Sequence, residues 1–368
     1  MLVAFLRRKW LLVPAVVVAL VAVVGAVVVL SGGGSGAPAT AADRPSGAGT
    51  EIDTAGIEYA ERLVVYNGRS HYGDEQVFLD FEAATGVDIV LRGGTGPELF
   101  ERLQHEGADT PADVLVTTDL ANLWRAQEAG LLQPVTSKTL RAQIPAGLHQ
   151  PDGYWWAVST RLRIPVVSTE RVPAGAVTSY ADLGDPRFRG RTCLRTSNSE
   201  YNQSLVADMI AKRGPEATRA LLRSWMANEP DIVGSDGEML AVMAAGDCDV
   251  GLANHYYLGR ALAENPDFPV APAWPDQDGA GAHANVSGAG VVASSDAVPT
   301  AVALLEWLTS PPAQEQIIAR SEFAANPAVP PAPHIRDWAK VKTDPIAVNE
   351  AGPLLDDAVA MMLEVGWN

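Results

Sequence analysis

Cysteine is almost absent from this chain: Cys193 and Cys248 are the only two in 368 residues. Neither follows the apolar N-terminal run, so a lipid anchor on a cysteine at that point is excluded. Basic residues are also scarce, with 27 Lys and Arg against 44 Asp and Glu and a formal net charge of −17. Nucleic-acid binders cluster cations against phosphates, so that class is set aside. The signatures of common catalytic machinery are missing too. There is no G-x-x-x-x-G-K-S/T phosphate loop, no H-E-x-x-H helix and no G-x-S-x-G elbow. Gly288-Ala289-Gly290-Val291-Val292-Ala293 fits a dinucleotide pattern in letters only, because Val291-Val292 continues an extended run instead of opening a helix. No enzymatic step is expected. A hydrophobic content of 47% with 19% charged residues is nonetheless globular, and the length favours two domains.

The N-terminus speaks to compartment. Arg7, Arg8 and Lys9 precede an uncharged run of 21 residues, Trp10 to Leu30. That is long for the core of a cleaved signal peptide and right for a spanning helix. Both readings put the rest of the chain outside the cytoplasm, because the positive flank stays inside. Residues 1–30 are therefore expected to be a signal anchor or signal peptide, and residues 31–57, rich in Ala, Gly, Ser and Pro, a flexible tether.

Beyond the tether, short apolar strands alternate with amphipathic helices. Leu63–Tyr66, Val87–Leu91 and Ala112–Val116 read as strands, separated by helical periods over 75–86 and 97–106. A second series follows, with strands at 192–195, 231–233 and 249–254 and helices between them. Trp155–Val167 and Asn285–Ala293 are long and extended enough to run between the two units. This alternation predicts parallel sheets covered by helices. Ligands collect at the carboxyl ends of such strands. The loops expected there hold His71-Tyr72, Thr117-Thr118-Asp119, Ser197 to Tyr201, and His255-Tyr256-Tyr257. Four of the eight tyrosines fall in these loops.

A phenol, with its pKa near 10, becomes a ligand only when a strong Lewis acid displaces its proton. Phenolate is a hard oxygen donor and suits a hard, highly charged cation. Ferric iron fits better than zinc, which takes His, Cys or carboxylate, or calcium, which takes carboxylates and carbonyls. The same tyrosines could instead form aromatic walls at a cleft rim, ring inside and hydroxyl wet.

The residues in these loops resemble the periplasmic ferric-iron-binding proteins of ABC iron importers, in particular the tyrosine-rich cyanobacterial type. The matching segments are Val64-Val65-Tyr66-Asn67-Gly68 with His71-Tyr72, Pro111 to Leu115, Asp119 to Ala126, Glu200-Tyr201-Asn202-Gln203-Ser204-Leu205, Leu252 to Tyr257, and Asn285 to Gly288. The resemblance implies a bilobal, type II periplasmic-binding-protein-like α/β fold, two lobes joined by crossing strands. On this basis lobe 1 is expected over 58–160 plus 286–335, and lobe 2 over 161–285 plus 336–368. It also implies that His71, Tyr72, Tyr201, Tyr256 and Tyr257 ligate one Fe3+, with room for a water or a small synergistic anion. Arg161 and Arg163 match basic residues of the family's first crossing strand and are candidates to hold that anion or balance the phenolates. If the strands carrying Cys193 and Cys248 are parallel neighbours, as the resemblance implies, the two form a disulfide.

The expected function is capture of Fe3+ outside the cytoplasm, by a monomer, for delivery to an ABC permease, with the membrane reached through the N-terminal helix. Two other readings stay open at this point: a solute-binding protein for a small anion or polyamine, and a tethered iron-sensing domain.

Overall fold

The computed structural model describes residues 49–368, except Asp74 and the side chain of His71. The described chain opens with β1 (Thr50–Glu51) and β2 (Arg62–Asn67). It continues through α1 (Gln76–Thr85), β3 (Asp88–Gly93), α2 (Gly96–Glu106), β4 (Val114–Thr117) and α3 (Leu120–Glu128). After β5 (Leu132–Gln133), β6 (Val135–Thr136) and α4 (Lys138–Gln143) comes the long strand β7 (Trp156–Ser168). The second series is β8 (Thr192–Arg195), α5 (Glu200–Arg213), α6 (Pro215–Ala227), β9 (Asp231–Val233), α7 (Asp236–Ala245), β10 (Val250–Asn254) and α8 (His255–Glu264). The chain then returns through β11 (Val270–Pro272) and β12 (Ala282–Val292) to α9 (Val298–Thr309), α10 (Pro311–Ile318) and β13 (Phe323–Ala324). It ends with β14 (Thr343–Pro345), α11 (Val348–Ala351) and α12 (Leu355–Glu364).

Local chemistry sets many of these limits. Thr95 caps α2 reciprocally with Glu98, each side chain accepting the other's backbone N–H, and Pro97 sits early in the helix where its missing N–H costs little. Gly86 ends α1 in the left-handed conformation, φ 81°.

Apart from the small pair β1-β6, the strands form one sheet whose main path runs β3-β2-β4-β12-β7-β10-β8-β9, with β5, β11, β13 and β14 pairing at its sides. Pairing is parallel within each outer trio (β3-β2-β4 and β10-β8-β9) and antiparallel wherever β7 or β12 takes part in this order. The two long strands therefore lie at the centre and belong to both halves. Their close approach needs a small residue: a Cβ on Gly288 of β12 would lie 2.9 Å from the Trp156 carbonyl oxygen of β7. One apolar core surrounds the first trio, with Leu63, Val65, Phe78, Leu115 and Leu304. Two cores cover the second trio, one around Leu194, Leu205, Trp225 and Met362, the other around Ile164, Met239, Met243 and Leu258. This is the α/β bilobal periplasmic-binding-protein fold. Cys193 and Cys248 are joined in a disulfide with Cα atoms 5.8 Å apart, at the edge where β8 and β10 run parallel.

The N-terminal expectation needs one correction. Residues 1–30 and most of the tether lie outside the described residues, among which no helix is long and apolar enough to cross a membrane. Residues 49–57, expected to be tether, are part of the fold. Thr50 and Glu51 pair in parallel with Val135 and Thr136, and Thr54 Oγ1 donates to Glu306 at 2.6 Å. Ile52 and Ile57 pack against the first core. In the sequence this segment shows no periodicity, because two strand residues and two isolated isoleucines carry none.

Candidate metal centre

Three short helical starts carry the four tyrosines. Tyr72 ends the 3-10 turn Ser70–Tyr72 that follows β2. Tyr201 lies in the first turn of α5, and Tyr256 and Tyr257 in the first turn of α8, directly after β10. These positions were expected in loops. Instead Ser199 and Asn254, in extended backbone, end the preceding segments and let helix begin one residue before Tyr201 and one before Tyr256. A side chain fixed on the first turn of a packed helix is held more tightly than one on a loop.

The hydroxyls converge. Tyr72 Oη lies 2.8 Å from Tyr256 Oη and 3.3 Å from Tyr201 Oη, across the two halves of the sheet. Asn254 Nδ2 donates to Tyr256 Oη at 3.2 Å. The Tyr256 and Tyr257 rings lie 4.6 Å apart, centroid to centroid. Of His71, only the backbone in the turn beside Tyr72 is described. Among the described residues, His, Cys, Asp and Glu form one close cluster of the kind that holds metal, and it is the disulfide with Asp231. The donors that do gather in the cleft are phenols.

Burial raises all four phenol pKa values above their ordinary range, and the neighbouring phenols add to it for Tyr72, Tyr256 and Tyr257. For Tyr201 the second cause is the charge of Glu200. The cluster is therefore neutral and proton-holding on its own. Only a cation strong enough to displace phenol protons turns it into a ligand set.

The surrounding arginines divide into two kinds. Arg163 is fully engaged within the second half: Nε donates to Asn202, Nη1 to Asp236 and Asn254, and Nη2 to the Leu252 carbonyl and Asp236. It braces the bases of α5, α7 and α8 and reaches the cluster only through Asn254. Its donors leave little for an anion. Arg161 is different. Nη2 donates to Asp119 at 2.7 Å, its guanidinium stacks 4.9 Å from the Tyr201 ring, and Nη1 is buried with no hydrogen-bond partner among the described residues.

Several contributors were not singled out in the sequence. Arg69 stacks 4.3 Å from the Tyr72 ring and is locked by Glu322 at 2.7 Å and by Ser159. Arg260 lies 4.9 Å from the Tyr256 ring and 5.5 Å from those of Tyr72 and Tyr257. Its spacing of three and four residues from the tyrosine pair on one helix was a usable signal. His255, pushed down to about 3 mainly by burial, stays neutral, and its Nδ1 accepts the Leu162 backbone N–H at 3.0 Å. Beside the cluster lies a cavity of about 460 Å3 lined in part by Ser70, Thr95, Arg195, Ser199, Tyr201 and Tyr257. Arg195 Nε and Nη1 and Ser199 Oγ are buried without partners among the described residues.

The model of the bacterial extracellular solute-binding proteins matches residues 76–343. The chain belongs to this family. Among curated members, this solute-binding protein is 36% identical to iron uptake protein A1 of Synechocystis sp. over 86% of its own length and 89% of the relative's. It is 29% identical to the Fe(3+)-binding periplasmic protein of Serratia marcescens, over 83% and 90%. Among solved structures, the Trichodesmium protein IdiA (FutA), in complex with iron and citrate, superposes with a TM-score of 0.76 at 36% identity, over 83% of this chain and all of that one. The resemblance drawn from the tyrosine segments is thus the one these relatives carry. Solute-binding proteins are transport components, not enzymes.

Proposed function

We propose that this chain is the extracytoplasmic ferric-iron-binding component of an ABC-type importer, and that Tyr72, Tyr201, Tyr256 and Tyr257 ligate one Fe3+ in the interlobe cleft. His71 is kept in the ligand set on the strength of the resemblance. The observation that carries this reading is the meeting of three buried phenol oxygens from opposite halves of the sheet, at 2.8 and 3.3 Å. Nothing in ordinary packing favours phenols facing one another in place of carbonyls, whereas Fe3+ gains from each proton they release. Four phenolates exceed the charge of the ion, and Arg161 Nη1 and Arg260 stand ready to offset the excess. A small carboxylate anion accompanying the iron would satisfy Arg195 and Ser199. The lobes are 58–160 plus 286–335 and 161–285 plus 336–368, with the first two breaks inside the two central strands, and residues 49–57 join the first lobe. The closed form would be the one a permease recognises, the protein acting as a monomer. The run Trp10–Leu30 would hold it at the membrane, outside the cytoplasm.

The test is metal analysis and a visible spectrum of protein purified without chelator, then loaded with ferric salt with and without citrate. One iron per chain with a phenolate-to-iron absorption band is expected. Protein that takes up no iron and shows no band would move the reading to a solute-binding protein for another small ligand.

A further inference from the structure

The helix that delivers Tyr201 touches the opposite half of the molecule at two other points. Glu200, immediately before it, accepts a hydrogen bond from Asn122 Nδ2 at 2.8 Å and another from Thr118 Oγ1. One turn later, Ser204 Oγ donates to Asp119 Oδ1 at 2.6 Å. Thr118, Asp119 and Asn122 lie together at the start of α3, which follows β4 in the first trio, whereas α5 follows β8 in the second. The seam has a shaped floor. Gly96, at the start of α2, leaves room for the pair: a Cβ there would lie 2.4 Å from Asn122 Nδ2 and 3.0 Å from Glu200 Oε2. Asp119 is itself fixed by Arg161 and by Asn285 Nδ2 at 3.1 Å, so the receiving side is rigid and tied to both central strands.

We propose that Glu200 is a positioning residue for Tyr201: its carboxylate seats in the socket of Thr118, Asn122 and Gly96, holds the first turn of α5 against α3, and so brings Tyr201 to Tyr72. Residues 200, 201 and 204 share two turns of one helix. Seating Glu200 and Ser204 on the first half fixes the height and rotation of the Tyr201 ring between them. The socket spans the two halves of the molecule, so its loss is expected to act on how long iron is retained. The inference rests on the iron-site reading for its metal readout, and on the seam alone for its conformational one.

Two variants separate the contact from the fold. Glu200→Ala removes the carboxylate. Gly96→Ala leaves every polar group in place and wedges the socket with one methyl, at a helical position where Ala is favourable. Each is compared with Glu200→Gln, whose amide oxygen still accepts a hydrogen bond, and with Tyr201→Phe. The measurements are iron release to excess competing chelator, the phenolate-to-iron band, and small-angle scattering of the metal-free protein. Glu200→Ala and Gly96→Ala are expected to release iron about tenfold faster or more, to shift the band toward that of Tyr201→Phe, and to scatter as a more open particle. Glu200→Gln is expected to stay within about threefold of the unaltered protein. Release, band and scattering unchanged in both Glu200→Ala and Gly96→Ala would overturn the proposal. If Tyr256→Phe still abolishes the band in that case, the iron site stands and only the positioning role of Glu200 has failed. If instead the unaltered protein develops no band, the iron-site reading has failed; more open scattering by Glu200→Ala and Gly96→Ala then still supports the seam, and unchanged scattering overturns it.

Discussion

Two buried tyrosine environments in this molecule look alike by exposure and differ in what meets the hydroxyl. Tyr180, 3% exposed, donates to the Arg163 carbonyl at 2.6 Å and accepts the His283 backbone N–H at 2.9 Å. Both roles of its oxygen are met by main chain of the two central strands, so it pins the second lobe to them. Tyr72, 1% exposed, instead meets the hydroxyls of Tyr201 and Tyr256. Burial raises the pKa of Tyr180 and of the cleft phenols alike. A raised pKa therefore does not mark the metal site. The company of the oxygen separates them: the Tyr180 phenol is satisfied by backbone, whereas the cleft phenols gather on one another from separate elements, and it is on this that the proposed iron site rests.

The largest effect that could break this contrast comes from the proposed ligand pair. Replacing both Tyr256 and Tyr257 with Phe keeps the ring packing and removes two oxygens. Ferric affinity is expected to fall beyond the roughly 10–100-fold typical of losing a group that only supports a ligand. Titration with ferric citrate, following the visible band, measures it; a double variant that binds like the parent breaks the contrast.

Tyr180→Phe should do the reverse. It strands a buried carbonyl and a buried N–H, at a cost of about 1–3 kcal/mol, while iron affinity holds within a few-fold. Urea unfolding of the metal-free protein, set beside ferric titration, reads both quantities. A stability equal to the parent's would show that backbone satisfaction is not what Tyr180 supplies.

Alkaline pH sharpens the comparison in a third way. Phenols whose pKa is raised by folding bind protons more tightly in the native state. Their contribution to stability is thus fully present below the unfolded value near 10 and is lost as pH rises above it. Metal-free protein is expected to weaken in that range through the cleft tyrosines and Tyr180 together. Iron-loaded protein, with its cleft phenols already ionised, should weaken less. Thermal melts from pH 8 to pH 11, with and without iron, would show equal slopes if no phenol had been ionised by the metal.

The smallest effect lies far from either environment. A chain beginning at residue 49 should match the full protein in iron binding. One beginning at residue 61 loses the pairing of Thr50 and Glu51, the Thr54–Glu306 bond and the Ala60 N–H to Thr300 bond at 2.9 Å. A loss of about 1–3 kcal/mol in unfolding free energy with unchanged iron affinity is expected; a drop in affinity would mean that this strap reaches the cleft.

Much of this was legible in the sequence because it rests on local signals. Strand–helix alternation gave the two α/β units, and tyrosines at strand ends marked the cleft. What was hidden depends on register and on distant partners. Arg161 and Arg163 are two residues apart on one strand and look equivalent. Only the pairing of β7 with its neighbours, and the places of Asp119 and Asp236, separates a free guanidinium donor from a fully engaged one. Glu200 reads as a helix N-terminal acid until Thr118 and Asn122, about 80 residues earlier, are brought against it. Arg69 and Glu322 are 253 residues apart in sequence and in contact in the fold.

The most direct test of the central claim counts protons. Fe3+ is added at constant pH to the unaltered protein, Tyr72→Phe and Tyr180→Phe, and the base needed to hold the pH is recorded together with the visible band. If neutral cleft phenols are displaced by the metal, Tyr72→Phe releases about one proton fewer per iron bound and its band weakens, while Tyr180→Phe matches the unaltered protein in both. Equal proton release and an equal band in all three proteins would contradict the account.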